Sequence, residues 1–262
     1  MPSGRLYRPK RRKLPAVPRR GLNKTEKKQT QMIAKKIVRS NQEVKQRAWQ
    51  INSTYNLDHN VPAVLFGTVI NGGLLELQQQ GATVGQHLTT RPHPVEATPL
   101  NNAGYLREGN KVKCSSVHLN LCASTPIDRQ GTKLRVIMFW FPIGHSVVWS
   151  DLVASSGMGA TYNNLLVPIN RNSVCKIFLD KTYTLGQAGA GGASNYPTTT
   201  MIKLRKSFKG GRNIEYNSDL ASRTPERWNI GFACVPYNFT DATQTDNVAK
   251  FEYSGNMYFR DA

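Results

Sequence analysis

Hydrophobic and polar positions follow two periods along this chain, one after the other. Met32, Ile33, Ile37 and Val38, then Val44 and Ala48, recur near the 3.6-residue spacing of a helix. No Pro or Gly interrupts residues 24–51, and Asn23 followed by Glu26 has the form of a capping box. The spacing predicts a basic amphipathic helix over residues 23–50, with a narrow apolar stripe. Beyond it the period falls to two. Val117, Leu119, Leu121 and Ala123 alternate with His118, Asn120 and Cys122, as in a strand with one buried face. Residues 134–141 (LRVIMFWF) are apolar on both faces and predict a central strand lying under another layer. Further apolar or β-branched runs occupy residues 62–70, 174–179, 182–185, 200–208, 230–237 and 250–259, with Pro, Gly, Asn and Asp between them.

About eight strands with no helical pattern between them predict a sandwich or barrel. Strand doublets separated by long connections favour jelly-roll wiring over a meander. The expected fold is therefore all-β, an eight-stranded jelly-roll sandwich preceded by a basic arm and a short helix. The expected divisions are a disordered basic arm over residues 1–22, the helix over 23–50 and the jelly-roll domain over 51–262. Three connections are long, at residues 80–109, 142–173 and 186–199, and the second has room for a short helix at 149–153.

Charge sharpens this division. The chain carries 35 Lys and Arg against 16 Asp and Glu, a net of +19. Residues 1–47 hold sixteen of the cations and two of the acids, Glu26 and Glu43, a net of +14 that leaves +5 for the other 215 residues. Within residues 1–20, Arg5, Arg8, Lys10, Arg11, Arg12, Lys13, Arg19 and Arg20 are interleaved with Pro2, Pro9, Pro15 and Pro18. Proline bars helix and like charges repel, so this stretch is expected to be disordered when free. Charge concentrated on one end of a near-neutral chain reads as an arm that grips a polyanion. Nucleic acid is the usual one, because each phosphate paired to Lys or Arg releases a condensed counterion.

The expected nucleic-acid ligands are those eight arm cations together with Lys24, Lys27, Lys28, Lys35, Lys36 and Arg39 of the helix. A second cluster, Lys203, Arg205 and Lys206, with Lys209 and Arg212 beyond, has no acid among residues 198–213. Lys203 and Arg205 fall on one strand face and Ile202 and Leu204 on the other, which suits a second phosphate-facing patch. Lys10, Arg11, Arg12 and Lys13, followed by Arg19 and Arg20, also have the form of a nuclear import signal.

The chemistry of small sites is mostly missing from the pattern. Cys114, Cys122, Cys175 and Cys234 show no zinc-ligand spacing and are expected as reduced thiols. His59, His87, His93, His118 and His145 show no metal spacing either. No phosphate-cradling Gly loop, nucleophile elbow or carboxylate pair stands out. The expectation is no catalytic residue, no metal ligand, no cofactor and no enzyme activity. With no 18-residue apolar run and no apolar leader segment, no membrane partner is expected.

The ordered series of features resembles a known group. A basic arm and helix come first, then a Gly-punctuated first strand region (residues 67–80), then REGNKV (107–112) leading into SVHL (116–119). LRVIMFW (134–140), IFLDKTYTL (177–185) and the basic segment 203–216 follow, and DKTYTL (180–185) is the most specific match. In this series the chain resembles the single jelly-roll coat proteins of small circular, Rep-encoding single-stranded DNA viruses, and is similar to the coat protein of satellite tobacco necrosis virus. The resemblance implies a capsid protein that self-assembles into a small icosahedral shell, most simply sixty subunits with T=1. It implies a homo-oligomer that packages single-stranded nucleic acid, DNA rather than RNA, in the virion and passes through the host nucleus. Apolar residues of the long loops, at 149–153 and 165–169, would then lie in subunit contacts. The alternative is a cellular single-stranded nucleic-acid-binding β protein, with aromatic-rich strands forming a stacking platform.

Overall fold

The computed structural model describes residues 23–41, 44–50, 54–66, 73–77, 107, 109–129, 131–154, 162–186, 198–217, 224–239 and 242–261. The arm expected over residues 1–22 lies outside them. The chain divides into two units, Met1–Gln42 and Glu43–Ala262.

The first unit contains helix α1 (Lys24–Asn41). Its capping box forms as the spacing requires. The Glu26 N–H donates to Asn23 Oδ1 and the Asn23 N–H donates to Glu26 Oε2, each at 2.8 Å. These bonds satisfy two of the donors that a helix start leaves without intrahelical partners. Met32, Ile33 and Ile37 are exposed along the helix. No helix among the described residues is long and apolar enough to cross a membrane.

The second unit is built from β1 (Lys45–Gln50), β2 (Tyr55–Asp58), β3 (Ala63–Phe66), β4 (Lys111–Thr125), β5 (Lys133–Pro142), β6 (Lys176–Thr184), β7 (Thr198–Glu215), β8 (Trp228–Tyr237) and β9 (Asn247–Asp261), with a short helix α2 (Trp149–Leu152). The helix expected to reach residue 50 thus ends at Asn41, and its last expected turns are a strand. Ser40 and Asn41 are weak helix formers, and residues 45–50 gain a full antiparallel ladder against β9. That pairing outweighs local propensity.

Two antiparallel sheets result. One runs β1-β9-β4-β7, with β2 also paired to β9, and the other runs β3-β8-β5-β6. β1 lies along residues 254–259 of β9 and β2 along 247–251, so the two fill one strand position interrupted in the middle. Eight strand positions result among the described residues, and every connection between them except β5 to β6 crosses from one sheet to the other. This is the wiring of a jelly roll, an all-β sandwich. Of the first strand region expected at residues 67–80, only 73–77 are described, and Leu74 and Leu75 form a buried turn instead of a strand.

The main core lies between the sheets. Val117, Leu119 and Leu121 of β4, Val136 and Met138 of β5, Phe232 of β8 and Phe251 and Met257 of β9 contribute to it, each 2% exposed or less. β8 passes so close to its neighbours that a Cβ at Gly231 would lie 2.5 Å from the Phe66 carbonyl oxygen and 2.6 Å from the Phe139 ring. A second, smaller core covers the far side of β5. Ile137, Phe139 and Phe141 pack there against Val147, Leu152, Val153 and Cys175 of the connection from β5 to β6.

Arg135 fastens that cover. Its guanidinium, 5% exposed, grips both carboxylate oxygens of Asp180 at 2.8 and 2.7 Å. It also donates to the carbonyls of Asn164 and Val167 at 2.8 and 2.7 Å. Within segment 149–153, Leu152 and Val153 therefore find their apolar partners inside the chain, and Trp149 is half-buried against the same core. Leu152 and Val153 are fully buried, whereas Leu166 stays 80% exposed.

Candidate nucleic-acid interface

The face of the β1-β9-β4-β7 sheet turned away from the core is polar, and register assembles it into rows. Asn256 of β9, His118 of β4 and Arg205 of β7 lie side by side, as do Ser254, Asn120 and Lys203. β1 adds the next position in each row, Ala48 and Gln50. Alternation along each strand buries Val117, Leu119, Ile202 and Leu204 on the opposite side. Lys203 and Arg205 are exposed. The side chain of Gln46 extends the face by donating to Asn256 Oδ1 at 2.9 Å.

Further cations lie in register on this sheet. Lys113 of β4 stands opposite Arg260 of β9 across the ladder. The His118 and Tyr258 rings lie 4.9 Å apart beside Arg205. Burial first, and then the Arg205 charge, hold the His118 imidazole below its ordinary value. The row beside Arg205 therefore stays neutral at His118 and polar at Asn256, with the permanent charge on Arg205 itself.

The predicted trio on β7 divides. Lys203 and Arg205 share the outer face, but Lys206 turns to the other side, where its Nζ sits 5.0 Å from the Phe178 ring centre. Period-two alternation dictates this separation, since neighbours in a strand point opposite ways. Arg212 also leaves the patch: its guanidinium lies 4.0 Å over Trp140 at one end of the sandwich. There it lines a cleft of about 370 Å³ with Asn213, Glu215, Pro225, Arg227 and Trp228. Lys111, 3.0 Å from Glu215, holds that carboxyl below the usual carboxylate value, through a hydrogen bond and its charge.

On helix α1, Lys24, Lys27 and Lys28 are exposed. Lys35, Lys36 and Arg39 lie on the same helix, but their side chains are outside the described positions. Arg5, Arg8, Lys10, Arg11, Arg12, Lys13, Arg19 and Arg20, including the candidate import signal, lie outside the described residues altogether.

The thiols offer little nucleophilic chemistry. Cys114 and Cys234 are buried within the main core, and burial pushes both up to about 12. Among the described residues, the fold does create one grouping that no spacing announced, that of His145, Asp151 and Cys175.

No family model matches this chain, and no curated protein matches it. Among solved structures it is similar to a chain from the crystal structure of the IBDV viral particle, described as a missing link in the evolution of icosahedral viruses. The sequence identity is 9% and the TM-score 0.16, over 84% of this chain and 40% of that one. The chain thus spans less than half of that chain's length. An overlap this slight carries no weight beside the wiring of the sandwich and the chemistry of its surface.

Proposed function

We propose that this chain is a capsid subunit, which assembles into a small closed shell and packages a single-stranded genome through its basic arm. One observation carries the reading. β1, the first strand after the arm and helix, lies in the same sheet as Lys203 and Arg205, and that sheet leaves its outer face polar and cationic. The +14 segment of residues 1–47 runs directly into β1, so the chain's densest charge is continuous in sequence with the sheet that carries Lys203 and Arg205. Lys203, Arg205 and the cations of the arm and α1 would line the shell interior, whereas Lys206 would brace the sandwich against Phe178.

The charge scale is also suitable. Sixty copies of a +14 segment carry about 840 positive charges, enough to neutralise on the order of a thousand phosphates. That scale suits a small single-stranded genome and not a large duplex; by the resemblance, the genome is DNA and the shell T=1. The contacts would be to phosphates and largely independent of sequence. The segment Lys10 to Lys13 with Arg19 and Arg20 would direct the subunit to the host nucleus for assembly. No catalytic role is proposed.

Electron microscopy of the purified protein tests the reading. Uniform closed particles are expected, with an absorbance ratio at 260 to 280 nm that reports packaged nucleic acid. Deletion of residues 1–20 should leave the sandwich folded and lower that ratio sharply. A monomer or small oligomer that never closes would favour the cellular single-strand binder instead. The adjacent rings of His118 and Tyr258 give that second reading its one structural support, because bases stack on such pairs.

A further inference from the structure

On the cover of the β3-β8-β5-β6 sheet, three side chains of different chemistry converge. His145 follows β5, Asp151 lies in α2, and Cys175 precedes β6. Their imidazole, carboxylate and thiol donor atoms all lie within 4.8 Å of one another. His145 Nε2 and Asp151 Oδ2 are 3.0 Å apart. The same carboxylate oxygen accepts the Val148 N–H at 3.0 Å, which fixes its direction. Cys175 is 4% exposed, while the side chains of His145 and Asp151 are 35% and 24% exposed. The thiol is therefore buried beside two side chains that reach solvent.

We propose that His145, Asp151 and Cys175 form a binding site for one divalent transition-metal ion, zinc by donor chemistry. A thiolate, an imidazole and a carboxylate are the three donor types that zinc combines, and hard ions such as magnesium and calcium avoid sulfur. Zinc bond lengths place tetrahedral ligand atoms about 3.3–3.7 Å apart. The Cys175 sulfur needs to close by at most about 1 Å, and the His145–Asp151 pair, at 3.0 Å, needs to open by a few tenths of an ångström, both within side-chain rotation. Binding exchanges the Cys175 thiol proton for the metal: the S–H bond breaks, a sulfur–metal bond forms and the proton leaves to solvent. Water takes the fourth position on the open side.

The ion would join the segment after β5 to the start of β6. Without it, backbone bonds such as Ala154 N–H to the Pro168 carbonyl, at 2.8 Å, help hold the cover together. The metal would thus brace the cover over the second core and leave the cationic sheet, on the opposite side of the sandwich, untouched. The proposal is independent of whether the chain builds a shell.

Cobalt(II) chloride is the probe, added to full-length protein that has been stripped with a chelator and then desalted. One cobalt per chain is expected to survive a second desalting. It should show a near-ultraviolet thiolate-to-cobalt band and the strong visible absorption of a four-coordinate ion. Cys175→Ala should abolish the thiolate band, while Cys234→Ala, in the main core, should keep it. Asp151→Asn preserves size and should weaken cobalt binding by roughly tenfold or more. Zinc should raise the thermal midpoint of the wild-type protein and not that of Asp151→Asn. Cobalt removed from the wild-type protein by desalting, or a thiolate band that persists in Cys175→Ala, overturns the site. Wild-type binding without a thiolate band does so too, whatever the folding of the variants.

Discussion

The two sheets of this sandwich treat their outer faces in opposite ways. In β4 and β9 buried positions alternate with exposed or half-buried ones along most of the strand, whereas in β5 and β8 the eight positions between the two ends are all buried. The first sheet therefore has one wet face, whereas the two central strands of the second have none, and its edge strand β6 stays exposed or half-buried along its length. The second is covered by the chain itself, through the connection that carries α2, a buried Arg135 and the second core. A face that receives a cover from its own chain must be apolar to hold it, since burial of apolar area is what fastens one layer to another. A face left polar and cationic is suited to a partner that stays hydrated and anionic.

That contrast can be broken at defined points. Phe139→Ala removes a ring buried under the cover and should cost about 3–5 kcal/mol. Asn120→Ala, on the wet face, should stay within about 0.5 kcal/mol of the wild-type protein. Chemical unfolding curves of the two variants should separate clearly; equal midpoints would erase the distinction between the faces. Arg135→Met tests the fastening and strands the Asp180 carboxylate. It should cost about 3 kcal/mol or more, since removing one partner leaves the other charge uncompensated. Asp180→Leu added to it should recover part of that stability, which a double-mutant cycle would report.

Lys203→Glu and Arg205→Glu should leave the unfolding midpoint nearly unchanged. Polyanion binding should weaken, and the salt dependence of log K should fall by about 1 for each phosphate that is no longer paired. Fluorescence anisotropy of labelled single strands across a salt series measures it. An unchanged slope would remove these two residues from the interface. The smallest effect is a proton equilibrium. His118 titrates below its ordinary value in the folded chain, so its contribution to stability is present above that ordinary value. It is lost as pH falls through the lower folded value. Arg205→Ala removes the lesser of the two causes and should raise the His118 value part of the way, as followed by NMR titration.

Much of this arrangement was legible in the sequence. Alternation in residues 117–123 and the unbroken apolar run at 134–141 announced one half-buried strand and one doubly covered strand. The run did not say which segment supplies the cover, because the apolar clusters of segment 142–175, at 147–149, 152–153 and 165–167, follow neither a helical nor a strand period. The helical spacing overruns the helix because Val44 and Ala48 keep to it. What turned residues 45–50 into a strand is β9, a partner from the far end of the chain that no local window contains. Lys206 is different, since period two alone separates it from Arg205, and only its charge had grouped the two. The trio of His145, Asp151 and Cys175 had no signal at all. Loop folding, not spacing, joins them.

The pairing of β1 and β2 with β9 also sets an order of events during synthesis. The strand position nearest the amino terminus has no partner until residues 247–261 have been made, and both of its halves lie along that last strand. Until then the sheet cannot close at that edge, and non-local closure of this kind is slow. The basic segment before β1 leaves the ribosome long before the domain it precedes can fold. For that interval its cations are already available to any polyanion, so the chain is positioned to meet one before the sandwich exists.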